Sequence, residues 1–476
     1  MDKATVALPG TDRAPVTGFE RFAATCRAHW PADQGRPRVV TRAPGRLDFM
    51  GGMADFAGAL ALQIPIDRGV FVAAGRRDDE RVLVESIGWN GGEDSRAEWP
   101  LSHLYQSDGQ FVQPEVFSSK FSSCSWVRHI AGVCYALVEA GGLPHLAGGV
   151  TILLQSDIPA GAGLASSAAI QVATAKALAA LFGAELTDYQ LLSACRSANH
   201  EVVGAQPGLV DHLTCLWGES NALLQIRCQP DDVLGTVNLP ADVRIVAIDA
   251  GFRLPLYEQR YADNRASSLI GKYLIEALLR QSGAVGDPTG GYLANVAPSE
   301  YVRRFRNELP VKRRGQDLLA ELGQPDGLDL TIELDRIYKI RSRTEHHIYE
   351  NDRTHRFMER LSRARRTGER DALIEAGELM YASHWSYGQR CGMGSIETDI
   401  LVNLIRQRGA ARGLYGAKVT AGGCGGSIAV LAVNQPAVMT ALQEVCATYA
   451  GQTGKQATIL AGSSPGAATF GVRTLD

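Results

Sequence analysis

Ser156-Asp-Ile-Pro-Ala-Gly-Ala-Gly-Leu-Ala-Ser-Ser-Ala-Ala169 is the stretch from which the rest of this 476-residue chain is read. It follows an apolar run, Gly149-Val-Thr-Ile-Leu-Leu154, with the character of a strand. It leads into an alanine-rich segment, 165–182, that reads as a helix stopped by Gly183. Gly161 and Gly163 let the loop adopt backbone conformations closed to other residues, and Ser166 and Ser167 stand where the helix begins. Free N–H groups and the positive end of a helix dipole meet there, which suits the phosphates of a nucleotide. A dinucleotide fingerprint needs a third glycine where Ser166 stands. Neither Gly271-Lys272 nor Gly454-Lys455 has the surroundings of a Walker loop. The loop belongs to another class of phosphate binder.

Composition narrows the partners. Forty-eight Lys and Arg against 51 Asp and Glu leave a net charge of −3, with no excess aimed at nucleic acid or an anionic membrane. Nine cysteines, odd in number and without C-x-x-C pairs, argue for reduced thiols rather than a disulfide framework or a zinc site. Met1-Asp-Lys-Ala opens no signal region, and no apolar run approaches a membrane span. The expectation is a cytoplasmic protein with small-molecule partners, no nucleic acid and no membrane. Oligomeric state is not legible in the sequence.

Along the chain, 1–36 reads as an extension holding an amphipathic helix at 19–30. Strands are expected at 38–42, 70–74 and 81–85, and a helix at 126–140. The polar segment 88–125 reads as surface loops. Thr187-Asp-Tyr-Gln190 is a capping box that opens a further helix. Gln229-Pro-Asp-Asp232 is a turn signal near a boundary, dividing the chain into units at 37–240 and 241–476. The second unit reads as helical at 261–281, 333–340, 355–361 and 371–381. Its basic run at 303–306 and 312–314 reads as a solvated helix face. His346, His347 and His384 lack the arrangement of metal ligands and read as structural or as supports for the residues that line the site.

Three glycine-rich stretches, 44–58, 156–169 and 416–427, stand out together. In this order they resemble the three signature motifs of the GHMP small-molecule kinases, on the galactokinase side. The first galactokinase motif runs Pro-Gly-Arg-Val-Asn-Leu-Ile-Gly-Glu-His-Thr-Asp-Tyr; this chain has Pro44-Gly-Arg-Leu-Asp-Phe-Met-Gly-Gly-Met-Ala-Asp-Phe56. The second, Gly-x-Gly-Leu-Ser-Ser-Ser-Ala-Ala, is matched at 161–169 with Ala165 in the first serine slot. The third is matched at 416–426, and Pro207-Gly-Leu-Val-Asp211 resembles the segment of the catalytic aspartate. Met50-Gly-Gly-Met-Ala-Asp55, Cys228-Gln-Pro230, Ile348-Tyr-Glu-Asn351 and Gly462-Ser-Ser-Pro-Gly-Ala467 are similar to the L-arabinokinase type within that branch.

The resemblance implies an α+β, two-lobed fold with the active site between the lobes, and an ATP- and Mg2+-dependent sugar 1-kinase. It implies Asp211 facing the attacking hydroxyl with Arg46 beside it. Pro159, Gly161, Gly163, Leu164, Ser166, Ser167 and Ala168 would surround the phosphates. Ser167 would be a magnesium ligand, with Glu201 as its acidic partner because Asn199-His200 occupies the place of the usual Glu-His. Gly52, Met53, Asp55, Gly208, Tyr261 and Gly422 would line the sugar together with Arg46 and Asp211.

In galactokinases the motif-one glutamate reaches the sugar's 6-hydroxyl. Its replacement by Gly52 favours L-arabinose, which lacks the exocyclic carbon. The vacated space would also admit the carboxylate of galacturonic acid if a cation faced it, and motif one holds none besides Arg46. Galactokinase, galacturonokinase and a non-catalytic sugar and ATP sensor are the competing readings.

Overall fold

The computed structural model describes residues 18–30, 38–89, 93–121, 126–143, 148–205, 208–254, 257–283, 289–323, 330–423 and 425–475. The expectations for 1–17 and 31–36, and the motif residues Pro207 and Cys424, lie outside them. Mixed helix and sheet is the architecture, as the α+β expectation required.

The larger sheet holds β1 (Arg38–Met50), β2 (Leu60–Arg76), β3 (Arg81–Trp89), β4 (Glu93–Pro100), β5 (Val150–Ser156), β6 (Ala222–Arg227), β7 (Asp232–Asn238) and β14 (Arg473–Leu475). Its order is β14-β1-β2-β5-β3-β4, with β6 on the N-terminal end of β2 and β7 beyond β6. β3 and β5 are parallel; the other pairs are antiparallel. The smaller sheet holds β8 (Val243–Asp249), β11 (Leu414–Val419), β12 (Ser427–Val433) and β13 (Thr458–Ala461), in the order β11-β12-β8-β13. A two-residue ladder, β9 (Arg313–Arg314) with β10 (Ile337–Tyr338), stands apart.

Helices α1 (Phe19–His29), α2 (Pro114–Ser119), α3 (Val127–Glu139), α4 (Ser166–Phe182), α5 (Asp188–Ser197) and α6 (Val210–Trp217) accompany the larger sheet. Then follow α7 (Tyr257–Gln281), α8 (Pro298–Glu300), α9 (Gly315–Leu322), α10 (Ile340–Thr367), α11 (Arg370–Ser386), α12 (Ile396–Arg408), α13 (Pro436–Thr453) and α14 (Ala467–Phe470). α4 is the central helix of the first core. Its alanines let it lie close against β1, where Thr41 Oγ1 donates to the Ala173 carbonyl at 2.7 Å, and side chains around most of its circumference are buried. No helix of the described residues is long and apolar enough to cross a membrane.

Several expectations needed correction. The strand expected at 38–42 is longer: β1 runs on through the first half of motif one to Met50. The pairing of β1 with β2 is irregular between Pro44 and Arg46 and again between Asp48 and Met50. Such bulges re-aim side chains, here those of Arg46 and Asp48. The segment read as loops at 88–125 contains β4 and α2. β4 is polar because it is a sheet edge, where charge discourages further pairing, and only its Trp99 gives the core contact away. The helix expected at 333–340 begins at Ile340 instead, after β10 and a non-helical Lys339. Arg303 and Arg304 do face solvent from a helical turn whose Tyr301 and Phe305 are buried, while Arg313 and Arg314 belong to β9.

Candidate active site

The phosphate loop has the expected form. Gly161 and Gly163 sit at φ 64° and 75°, in the region that favours glycine. α4 begins at Ser166, one residue later than its sequence suggests, because Ala165 is left-handed at φ 60° and serves as the N-cap. No side chain caps the helix, so its first N–H groups remain available to a phosphate. Gly161 is exposed; Pro159, Gly163, Ser166 and Ser167 are half-buried; Leu164 and Ala168 are buried behind them.

Motif one and motif three close on this loop. The Arg46 N–H donates to the Leu164 carbonyl at 3.0 Å. A Cβ on Gly45 would lie 2.7 Å from that same oxygen, so glycine is required there for space. A Cβ on Gly425 would lie 2.1 Å from the Gly163 nitrogen. Four non-glycine residues among those described have positive φ, and three of them, Met53, Ala165 and Ala421, fall one in each motif. Backbone strain is thus gathered where the motifs meet.

Arg46 is the centre of the arrangement. Its Nε and Nη2 donate to the two carboxylate oxygens of Asp211 at 2.7 and 2.6 Å, and its Nη1 donates to the Gly163 carbonyl at 2.7 Å. The arginine side chain is 5% exposed and the aspartate 29%. Gln63 Nε2 donates to Asp211 Oδ1 at 3.0 Å, and Thr214 Oγ1 fixes Gln63 by donating to its Oε1 at 2.8 Å. Burial alone would raise the Asp211 pKa. The charge of Arg46, its paired hydrogen bonds and that of Gln63 outweigh burial and hold it below the ordinary aspartate value.

Of the remaining predicted sugar residues, Asp55 lies close enough for the charges of Asp211 and Arg46 to act on it. Asp55 faces Gly208, whose Cβ would stand 3.7 Å from Asp55 Oδ2. Met53 and Tyr261 pack together with Tyr387, and Gly422 lies half-buried in the motif-three turn. Asp48 Oδ1 and Asp55 Oδ1 are buried and have no hydrogen-bond partner among the described residues. Burial raises both carboxyls, Asp48 to about 7, with Lys418 and Arg46 pulling Asp48 back and the charges of Asp211 and Asp55 adding to the rise. Orphaned buried acceptors of this kind suit hydroxyl donors.

The metal position is less complete. Ser167 stands at the free end of α4. Glu201 lies half-buried in a turn after α5, where its charge bears on Tyr135 and Glu139 of α3. Asn199 points inward, accepting from Gln171 Nε2 at 3.1 Å, with Gln171 Oε1 2.7 Å from His212 Nε2. Among the described residues no three of His, Cys, Asp and Glu gather as a metal site. Magnesium in general rides on phosphate and water oxygens with one or two protein oxygens, and Ser167 Oγ at the uncapped end of α4 is an oxygen of that kind.

Sequence reasoning missed four participants. Gln63 had a signal, a lone polar residue within an apolar strand. Arg253 had none: its Nε donates to the Ala160 carbonyl at 2.8 Å and its Nη1 to the Gly425 carbonyl at 2.9 Å, while Asp249 pairs with its fork. Thr420 Oγ1 accepts from the Asp48 N–H at 3.0 Å and donates to the Asp48 carbonyl at 2.8 Å. Tyr387 Oη donates to the Ala421 carbonyl at 2.9 Å. Of the three histidines, His346 bonds Ser386, His347 packs edge-on against Phe56, and His384 Nδ1 accepts from the Val419 N–H.

The profile of the GHMP kinases N terminal domain matches residues 128–219, and the galactokinase galactose-binding signature matches 32–76. An L-arabinokinase of Arabidopsis thaliana is 31% identical over 91% of this chain and 46% of its own length, so the chain spans less than half of that relative. A galactokinase of Chloroflexus aurantiacus is 29% identical over 82% of this chain and 83% of its own length. Lactococcus lactis galactokinase, solved with galactose, superposes with a TM-score of 0.68 at 20% identity, covering 94% of this chain and 98% of that one. Methanococcus jannaschii mevalonate kinase superposes at 0.54 with 13% identity, covering 89% and 98%. At these identities the structural likeness is one of fold. What the sequence matches show is a GHMP kinase N-terminal domain and a galactokinase signature in a chain that is similar over more than four fifths of its length to sugar kinases.

Proposed function

We propose that the protein transfers the γ-phosphoryl group of ATP to the anomeric hydroxyl of L-arabinose, giving β-L-arabinose 1-phosphate. The observation that carries the transfer is the position of Arg46, bonded at once to the Asp211 carboxylate and to the Gly163 carbonyl of the phosphate loop. Acceptor and donor sides thereby share one buried cation. Phosphoryl transfer passes through a loose transition state, so positioning and charge supply most of the acceleration.

Asp211, held ionised by Arg46, is a weak base and a good hydrogen-bond acceptor. It orients the sugar hydroxyl and receives its proton as the anomeric oxygen bonds to the γ-phosphorus and the bond to the ADP oxygen breaks. Arg46 offsets charge on the transferring group, and the N–H groups of Ser166, Ser167 and Ala168 hold the phosphates. Magnesium, which Ser167 would help to hold, neutralises charge across the β- and γ-phosphates when bound.

L-Arabinose is favoured by Gly52. A motif-one glutamate would lack its hydroxyl partner on a pentose, and a buried unpartnered acceptor costs about 1–3 kcal/mol, more when charged. The 31% identity to an L-arabinokinase over 91% of this chain supports the same sugar. The test is a coupled ADP-release assay with L-arabinose, D-galactose and D-galacturonate, the product examined by 31P NMR. L-Arabinose should have the highest kcat/KM. Equal or better turnover of galactose or galacturonate overturns the sugar assignment, and nucleotide binding without turnover of any sugar overturns the kinase in favour of a sensor.

A further inference from the structure

We propose that Asp48 selects the sugar: its carboxylate occupies the space that a side chain at position 52 would take, and its free Oδ1 accepts a hydroxyl of the bound pentose. This rests on the sugar-kinase reading above and adds to it a residue outside the predicted set.

Gly52 is not a glycine for the sake of its backbone, because its φ lies outside the left-handed region. It is a glycine for space. A Cβ there would lie 2.5 Å from Asp48 Oδ2, 2.8 Å from Asp48 Cγ and 2.7 Å from Tyr387 Oη. The galactokinase motif has asparagine and glutamate where this chain has Asp48 and Gly52. The carboxylate has therefore moved between two positions whose side chains compete for one space, and only one of the two can carry it. The space left by the missing glutamate is filled rather than open.

Asp48 is built in. Both bonds of its peptide to Thr420 tie it to motif three, and the bulge beside it sets its direction. Tyr387 is held behind it by the Ala421 carbonyl. Lys418, fully buried with no hydrogen-bond partner for Nζ among the described residues, lies 4.8 Å from the centre of the Tyr387 ring, and its charge acts on Asp48. Asp48 Oδ2 lies over Gly52. Oδ1, buried and unpartnered, is the atom left for the ligand.

Three variants test this: Gly52→Glu, Asp48→Asn and the double substitution. Gly52→Glu forces two carboxylates into one space and should lower the melting temperature and reduce kcat/KM for every sugar by roughly tenfold or more. Asp48→Asn should raise the KM for L-arabinose while leaving the KM for ATP unchanged. The double variant should recover the stability lost by Gly52→Glu and shift the galactose-to-arabinose ratio of kcat/KM by roughly tenfold towards galactose. Gly52→Glu with wild-type stability and activity, or a double variant with the wild-type sugar ratio, overturns the proposal. The two readings fail separately. A wild type that prefers galactose removes L-arabinose but leaves the 48–52 coupling legible in melting temperatures and ratio shifts. With a wild type that turns over no sugar, the coupling is read from melting temperatures and sugar titration calorimetry.

Discussion

Arg46 and Asp211, 165 residues apart in sequence, meet in a two-point ion pair whose arginine also bonds the phosphate loop. Bidentate guanidinium–carboxylate pairs fix orientation as well as distance. Each partner here sets the other's chemistry: the arginine keeps the aspartate ionised, and the aspartate aims the arginine. The proposed phosphoryl transfer uses both.

Asp211→Asn should fold, bind nucleotide and lose turnover. The amide keeps the shape but cannot take a proton, so kcat should fall by about 10²–10⁴-fold with the nucleotide Kd little changed. Retained turnover would assign the role to another carboxylate.

Arg46→Lys keeps the charge and loses the fork. A lysine cannot hold both Asp211 oxygens and the Gly163 carbonyl together. Loss of charge-assisted hydrogen bonds worth about 1.5–3 kcal/mol each should lower kcat/KM by at least about tenfold. Rates equal to wild type would mean that charge alone suffices.

Gly425→Ala should separate motif three from motif two. Its Cβ would fall 2.1 Å from a backbone nitrogen that no side-chain rotation can move. Overpacking of this kind costs about 1–3 kcal/mol. The expected result is a lowered melting temperature and a raised KM for ATP, measured side by side with Gly451→Ala, where a Cβ meets open space.

The pH dependence of stability should separate the two aspartates. Asp48 has a folded pKa of about 7 against an ordinary value of 3.8, through burial opposed by Lys418 and Arg46 and reinforced by Asp211 and Asp55. Its contribution is therefore present below the unfolded value and is lost as pH rises to about 7. Asp48→Asn should gain stability relative to wild type between about pH 5 and about pH 8. Asp211 is depressed, so its contribution persists above 3.8 and is lost only on further acidification. Thermal melts of wild type, Asp48→Asn and Asp211→Asn from about pH 2 to about pH 8 check both signs.

Thr420→Val should loosen Asp48 without touching the sugar. It removes both bonds to the Asp48 peptide at a cost of about 1–3 kcal/mol, and Thr420→Ser should restore most of it. A melting temperature unchanged in Thr420→Val would mean that the bulge alone holds Asp48.

The phosphate loop was legible in the sequence because its chemistry is local. Gly161, Gly163 and the start of α4 lie within a few residues, and backbone freedom with bare N–H groups follows from residue types alone. Motif one was half legible. Arg46 and Asp55 stood out by pattern, but the strand that carries Arg46 did not, because its bulges are properties of the pairing with β2. Arg253, Gln63 and Thr420 act through partners tens to hundreds of residues away.

Gly52 marks the division most clearly. From sequence it meant a missing glutamate and an emptier pocket, favouring one sugar and leaving room for another. The tertiary structure places Asp48 and Tyr387 in that space, since β1 bends there and the turn of motif three lies behind it. The phosphate loop and the resemblance of its companion motifs to those of a kinase are written in contiguous residues, so they are readable before any folding. Only the fold decided which side chains surround the proposed sugar site, because Tyr387 and Thr420 reach Asp48 and Gly52 only when segments more than 330 residues apart pack together.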